Sequence, residues 1–124
     1  MKQEAHSIHE WEDVTLNSKY LRDAEKFLAE KDYPQASEKL WGAFLEAVKA
    51  VAAERGMSLG THRSIAEFVS KLHEEHPERK LRDAFRHAES LHVNFYEDHL
   101  PGDYVIESRK VVEKAISLIL QEAE

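Results

Sequence analysis

The segment Phe85-Arg86-His87-Ala88-Glu89-Ser90-Leu91-His92-Val93-Asn94-Phe95-Tyr96-Glu97 concentrates the residues of this chain that could do chemistry. A histidine can take or give a proton near neutral pH, and an arginine can hold an anion with forked hydrogen bonds. On a helical wheel at ~100° per residue, His92 falls near the middle of an apolar stripe, close to Phe85 and Ala88. Arg86 lies at the edge of that stripe, roughly 120° away, with Glu89 between the two and Tyr96 one turn beyond His92. The three residues Arg86, Glu89 and His92 therefore step from a polar edge into an apolar face. Arg79 and Arg82 extend the arginine side of this seam, which is the most positive strip in the sequence. The plainer reading is a core histidine beside a surface Arg86–Glu89 ion pair.

Helices must position these groups. Leu16, Tyr20, Ala24, Phe27 and Leu28 recur at helical spacing and predict a helix over 15–30. Asp32-Tyr33-Pro34 reads as a turn, with Pro34 suited to the first turn of a second helix over 34–55. That helix carries Ala36, Leu40, Phe44, Ala47, Val48 and Val51, is flanked by Trp41, and is closed by Gly56. Thr61 or Ser64 can cap a third helix with Ile65, Phe68, Val69 and Leu72 on one face, ending near His76-Pro77. A fourth helix over 78–98 carries Leu81, Phe85, Ala88, Leu91, His92 and Phe95. Pro101-Gly102 breaks it, and Asp103 is the expected cap of a fifth helix with Val105, Val112, Ile116, Ile119 and Leu120. No segment sustains period-two alternation. The expected fold is all-α, an antiparallel up-down bundle of about five helices. Residues 1–14 form an N-terminal arm or short helix, with Trp11 expected to pack, and 15–124 a single bundle domain.

Composition narrows the function. The 124 residues make one domain, and the 42% hydrophobic and 33% charged content is that of a globular chain. With no cysteine, disulfides and thiolate zinc sites are excluded. No apolar run approaches the ~20 residues of a membrane span, and no signal peptide is visible, so the expected location is cytoplasmic and no membrane partner is expected. The net charge of −7 argues against broad nonspecific nucleic-acid binding but leaves room for a local basic site.

The fourth-helix pattern resembles the HEPN domain family, small helical bundles with an arginine, a polar residue, and a histidine about four to six positions after the arginine. Here Arg86 is followed by polar His87, and His92 falls in that window. The run Ala36-Ser37-Glu38-Lys39-Leu40-Trp41-Gly42-Ala43 and the stretch from Leu91-His92 to Phe95-Tyr96-Glu97 are similar to the archaeal branch of the family, and the resemblance spans about 16–120. Some HEPN toxins place a tyrosine two residues after the histidine, where this chain has Asn94, with Tyr96 four after. The resemblance implies metal-independent RNA cleavage by a toxin-like endoribonuclease, a homodimer whose two motif helices share a cleft, and a small nucleotidyltransferase-like antitoxin as partner. It makes Arg86 the phosphate clamp and His92 the acid–base group. His87 and Asn94 become secondary polar contacts, and Glu89 or Tyr96 orients His92. No cofactor or metal is expected. The alternative is a non-catalytic helical module for protein or nucleotide binding.

Two further histidine placements stand out. His73 and His76 lie at i, i+3 near a helix end, the spacing of a zinc or nickel half-site, but no further ligand is evident from spacing and the reading taken is a solvated helix surface. His62, just after Thr61, either serves a helix start or reaches toward the fourth helix.

Overall fold

The computed structural model describes residues 8–122, with side chains from residue 13 onward. Among these residues there are five α-helices and no strand, an all-α bundle of the expected kind. They are α1 (Ile8–Ala29), α2 (Tyr33–Glu54), α3 (His62–Glu75), α4 (Leu81–Glu97) and α5 (Gly102–Gln121).

The helix α2 is the hub, packed against each of the other four. Its Asp32 cap accepts a hydrogen bond from the Gln35 amide at 3.2 Å, and Pro34 sits in its first turn. Ala36, Leu40, Ala43, Phe44, Ala47, Val48, Ala50, Val51 and Ala52 are all fully buried. The alanines let neighbouring backbones approach on several sides while Phe44 and Leu40 fill the centre. Arg55 ends the helix, and Gly56 at φ +74° takes the left-handed conformation that closes it. Asn94 at the end of α4 meets Ser37 at the start of α2, so those helices are antiparallel. Arg79 and His87 meet the end and the first half of α5 in the same opposed sense. By contrast α3 runs in the direction of α2. Its first residue lies over Trp41, and Glu75 in its last turn binds Arg55. The segment between α2 and α3 therefore doubles back along the bundle.

Two boundaries differ from the sequence pattern for physical reasons. Helix α1 starts at Ile8, so 8–14 are its first turns. From Asp13 onward some of its inward contacts are polar, which a search for apolar stripes passes over. The amide of Asn17 is buried and donates to the Ala43 carbonyl at 2.6 Å, and Asp13 faces Glu46. The environment expected of Trp11 and the rest of the arm, 1–7, lie outside the described residues. Helix α4 starts at Leu81, because Pro77–Arg79 form a single 3-10 turn that Lys80 ends at φ +52°. Asp103, expected as the cap of α5, lies within its first turn, where its carboxylate accepts from the Tyr104 amide; Pro101 holds the cap position.

The Glu46–Asp13 pair gives α1 and α2 a pH-dependent contact. Burial, followed by the hydrogen bond to Asp13, pushes the Glu46 carboxyl up to about 7, with Lys49 opposing. A carboxyl raised in the folded state keeps a proton that the unfolded chain releases, so stability falls as pH rises from its ordinary value of 4.5 toward 7. Glu46→Gln removes that dependence. Its melting temperature should match wild type below pH 4.5 and exceed it above pH 7, by about 1–2 kcal/mol of stability after allowance for solvent screening. Equal melting at pH 8 would show that Glu46 ionises normally in the folded protein.

Candidate functional site

The candidate site is centred on Trp41, which is 6% exposed. It lies one turn after Glu38 on α2, and both face the α3–α4 side of the bundle. His92 of α4 stacks on the indole with ring centroids 4.8 Å apart, and His62 of α3 stacks on it at 5.7 Å. Phe85 closes the inner side, 6.2 Å from Trp41 and 5.8 Å from His62. Tyr96 presents its ring edge-on to His92 at 5.5 Å.

Each histidine is held by a carboxylate from another helix. Nδ1 of His92 lies 2.8 Å from Oε1 of Glu38, and Nε2 of His62 lies 2.7 Å from Oε2 of Glu89. An ionised carboxylate only accepts, so the ring nitrogen facing it carries the hydrogen. Among the described residues the other nitrogen of each ring, Nε2 of His92 and Nδ1 of His62, has no hydrogen-bond partner. The side chains are 33% and 55% exposed, so both free nitrogens can meet a solute. The position of His62 is fixed locally. Thr61 and Ser64 form a reciprocal capping box, with both amide-to-hydroxyl bonds at 3.0 Å, and this sets the first turn of α3.

The residues expected around His92 are only partly brought together. Glu89 binds His62, so His92 is oriented by Glu38 and by the Tyr96 edge instead. Arg86, one turn before Glu89, is 71% exposed and pairs with Asp83 at 2.9 Å. His87 points the other way. Its Nδ1 lies 3.0 Å from the Ser108 hydroxyl, in the α4–α5 groove shared with Lys80, Asp83 and Lys114. Asn94 is fully buried and structural. Its amide nitrogen donates to Ser37, and its oxygen accepts from the amides of His99 and Leu100. No part of Asn94 is left for a substrate. The arginine seam also divides: Arg82 binds Ser70 of α3, whereas Arg79 turns to α5 and binds Glu122 at 2.7 Å.

The structure adds Trp41, Glu38 and His62 to the site. Glu38 and Trp41 lie three apart on α2, spacing that puts both on one helix face. His62 beside a capping threonine was the remaining signal, and it does both things the sequence allowed: it starts α3 and reaches α4.

The His73/His76 pair separates. His76 joins Glu75 and Glu122, whose ligand atoms lie within 4.8 Å of one another, and His73 is not among them. Arg55 forks onto Glu75 at 2.8 and 2.9 Å, and Arg79 occupies Glu122. Those guanidiniums hold both carboxyls below the usual carboxylate range and supply the positive charge a metal ion would bring. The cluster is an ion-pair clasp between the ends of α2, α3 and α5.

Fold and site together define a small helical bundle that carries two carboxylate-anchored histidines on one tryptophan. The chain belongs to the archaeal PaREP1/PaREP8 family, whose model matches residues 12–116. Its fold is similar to that of a Sulfolobus solfataricus protein known from its crystal structure, at a TM-score of 0.78 and 24% identity over 88% of this chain and 97% of that one. No curated protein matches it. Among the described residues no helix is long and apolar enough to cross a membrane.

Proposed function

We propose that this chain is an HEPN-like protein that acts on RNA as a metal-independent endoribonuclease of the toxin type. The observation that carries this reading is His92: its Nδ1 is fixed by Glu38, its Nε2 is unpaired among the described residues, and a third of its side chain is open to solvent. A histidine held this way can take the proton of a ribose 2′-hydroxyl as that oxygen attacks the adjacent phosphorus. Arg86 is the phosphate clamp, since breaking its exposed pair with Asp83 costs little. Val93 and Tyr96, 42% and 71% exposed on the same helix, offer a second copy of the chain a surface beside the site. A homodimer through α4, a cytoplasmic location and a nucleotidyltransferase-like antitoxin complete the proposal.

A second reading is a non-catalytic module for protein or nucleotide binding. It is favoured by Arg86 lying about a third of a turn away from His92 around α4 and by the net charge of −7. The two readings part in one experiment. A mixed RNA pool is incubated in EDTA with wild type, Arg86→Ala and His92→Ala, each first shown to be folded. Cleavage by wild type, reduced ~10²–10⁴-fold in both variants, is the expected result. No cleavage by folded wild type sends the assignment to the binding module.

A further inference from the structure

The ribonuclease chemistry proposed above needs two proton movements, and His92 supplies one. A proton must leave the 2′-hydroxyl, and another must reach the departing 5′-oxygen. We infer that His62 is the second acid–base residue of the same site, the proton donor to the 5′-oxygen. This inference rests on the RNA-cleaving reading.

Three observations carry it. First, His62 and His92 stack on one indole, so their centroids are no farther apart than the two stacking distances, 5.7 and 4.8 Å, laid end to end. Both imidazoles therefore belong to one local site, within the length of a dinucleotide. Second, the two rings are equipped alike. Each gives one nitrogen to a glutamate, each keeps the other free, and each is substantially exposed. A carboxylate on one nitrogen orients the imidazole, and the other nitrogen stays free to pass a proton. Third, His62 joins groups that α4 alone keeps apart. Arg86 and His92 lie roughly 120° apart around the helix. Glu89, which falls between Arg86 and His92 around α4, is the residue that holds His62.

The step balances with these groups alone. The 2′-oxygen bonds to phosphorus and its proton passes to Nε2 of His92. The bond from phosphorus to the 5′-oxygen breaks, and that oxygen takes the proton from Nδ1 of His62, which reacts in its protonated form and keeps its Nε2 hydrogen, bonded to the Glu89 carboxylate. The products are a 2′,3′-cyclic phosphate and a 5′-hydroxyl.

A leaving-group substitution tests the assignment. The full-length protein is given an RNA that it cuts, and the same RNA with sulfur replacing the 5′-oxygen at the mapped cleavage position. A thiolate departs without a proton and so needs no acid. His62→Gln, and His62→Phe to preserve the ring on Trp41, should cut the ordinary RNA ~10²-fold or more slower than wild type. On the sulfur-substituted RNA both should come within a few-fold of wild type, while His92→Ala stays slow on both. His62 variants that cut ordinary RNA at the wild-type rate, or whose deficit persists on the sulfur substrate, would overturn the role of His62 and leave the ribonuclease reading standing. A wild type that cuts no RNA would overturn that reading itself.

Discussion

Replacing Asn94 with alanine should destabilise the protein by about 3 kcal/mol, a large share of the stability of a domain of this size. Asn94 is completely enclosed, and each end of its amide is used. The oxygen takes the amides of His99 and Leu100 at 2.8 and 2.7 Å, and the nitrogen gives to the Ser37 hydroxyl at 3.1 Å. These bonds fix the turn after α4, where Asp98 sits at φ +45°, and tie that turn to the start of α2. Alanine strands two backbone donors and a buried hydroxyl, each costing about 1–3 kcal/mol in proportion to how little water can replace the partner. Ser37→Ala strands only the amide nitrogen and should cost about 1 kcal/mol. Urea unfolding of both variants with an unchanged slope is the measurement. An Asn94→Ala loss below that of Ser37→Ala would show that water restores the turn.

Trp41→Ala should cost about 3–5 kcal/mol, and Trp41→Phe clearly less. The indole is packed by Phe85, and both histidines lie on it. Truncation opens a cavity at the junction of α2, α3 and α4 and removes the ring on which both imidazoles stack. Phenylalanine keeps a ring for both to rest on. Thermal unfolding ranks the three proteins, and RNA cleavage below the melting point of each reads the site separately. If Trp41→Ala melts within 1 kcal/mol of wild type, the stack is a surface association rather than part of the core.

The helices could be read from the chain because the apolar positions recur at helical spacing and the ends are marked by Asp32, Pro34, Gly56 and Thr61, each in the role its chemistry favours. Where the ends are set by backbone geometry, as at Lys80, or by inward polar contacts, as at Asp13 and Asn17, composition carries no signal. The candidate site divides in the same way. His92 was visible because helical geometry relates it to residues on its own helix. Glu38 and His62 reach it across helices, and pairing between elements far apart in the chain cannot be deduced from a wheel. Asn94 shows the converse: a polar residue in a motif window looks available until the loop that consumes its hydrogen bonds is seen.

The clasp at the far end of the bundle has a consequence for behaviour in heat. Arg55, Glu75, Arg79 and Glu122 form one ion-pair network over the last turns of α2, α3 and α5, whereas the opposite end has the neutral Asn94–Ser37 contact and two separate histidine–glutamate pairs. The penalty for stripping water from charged groups falls as temperature rises, so an ion-pair network loses less of its worth on warming than isolated neutral hydrogen bonds do. The two ends therefore respond to heat unequally. The expected result on heating is that the ion-pair network persists longest and amide exchange rises first at the turn between α4 and α5, beside the histidines.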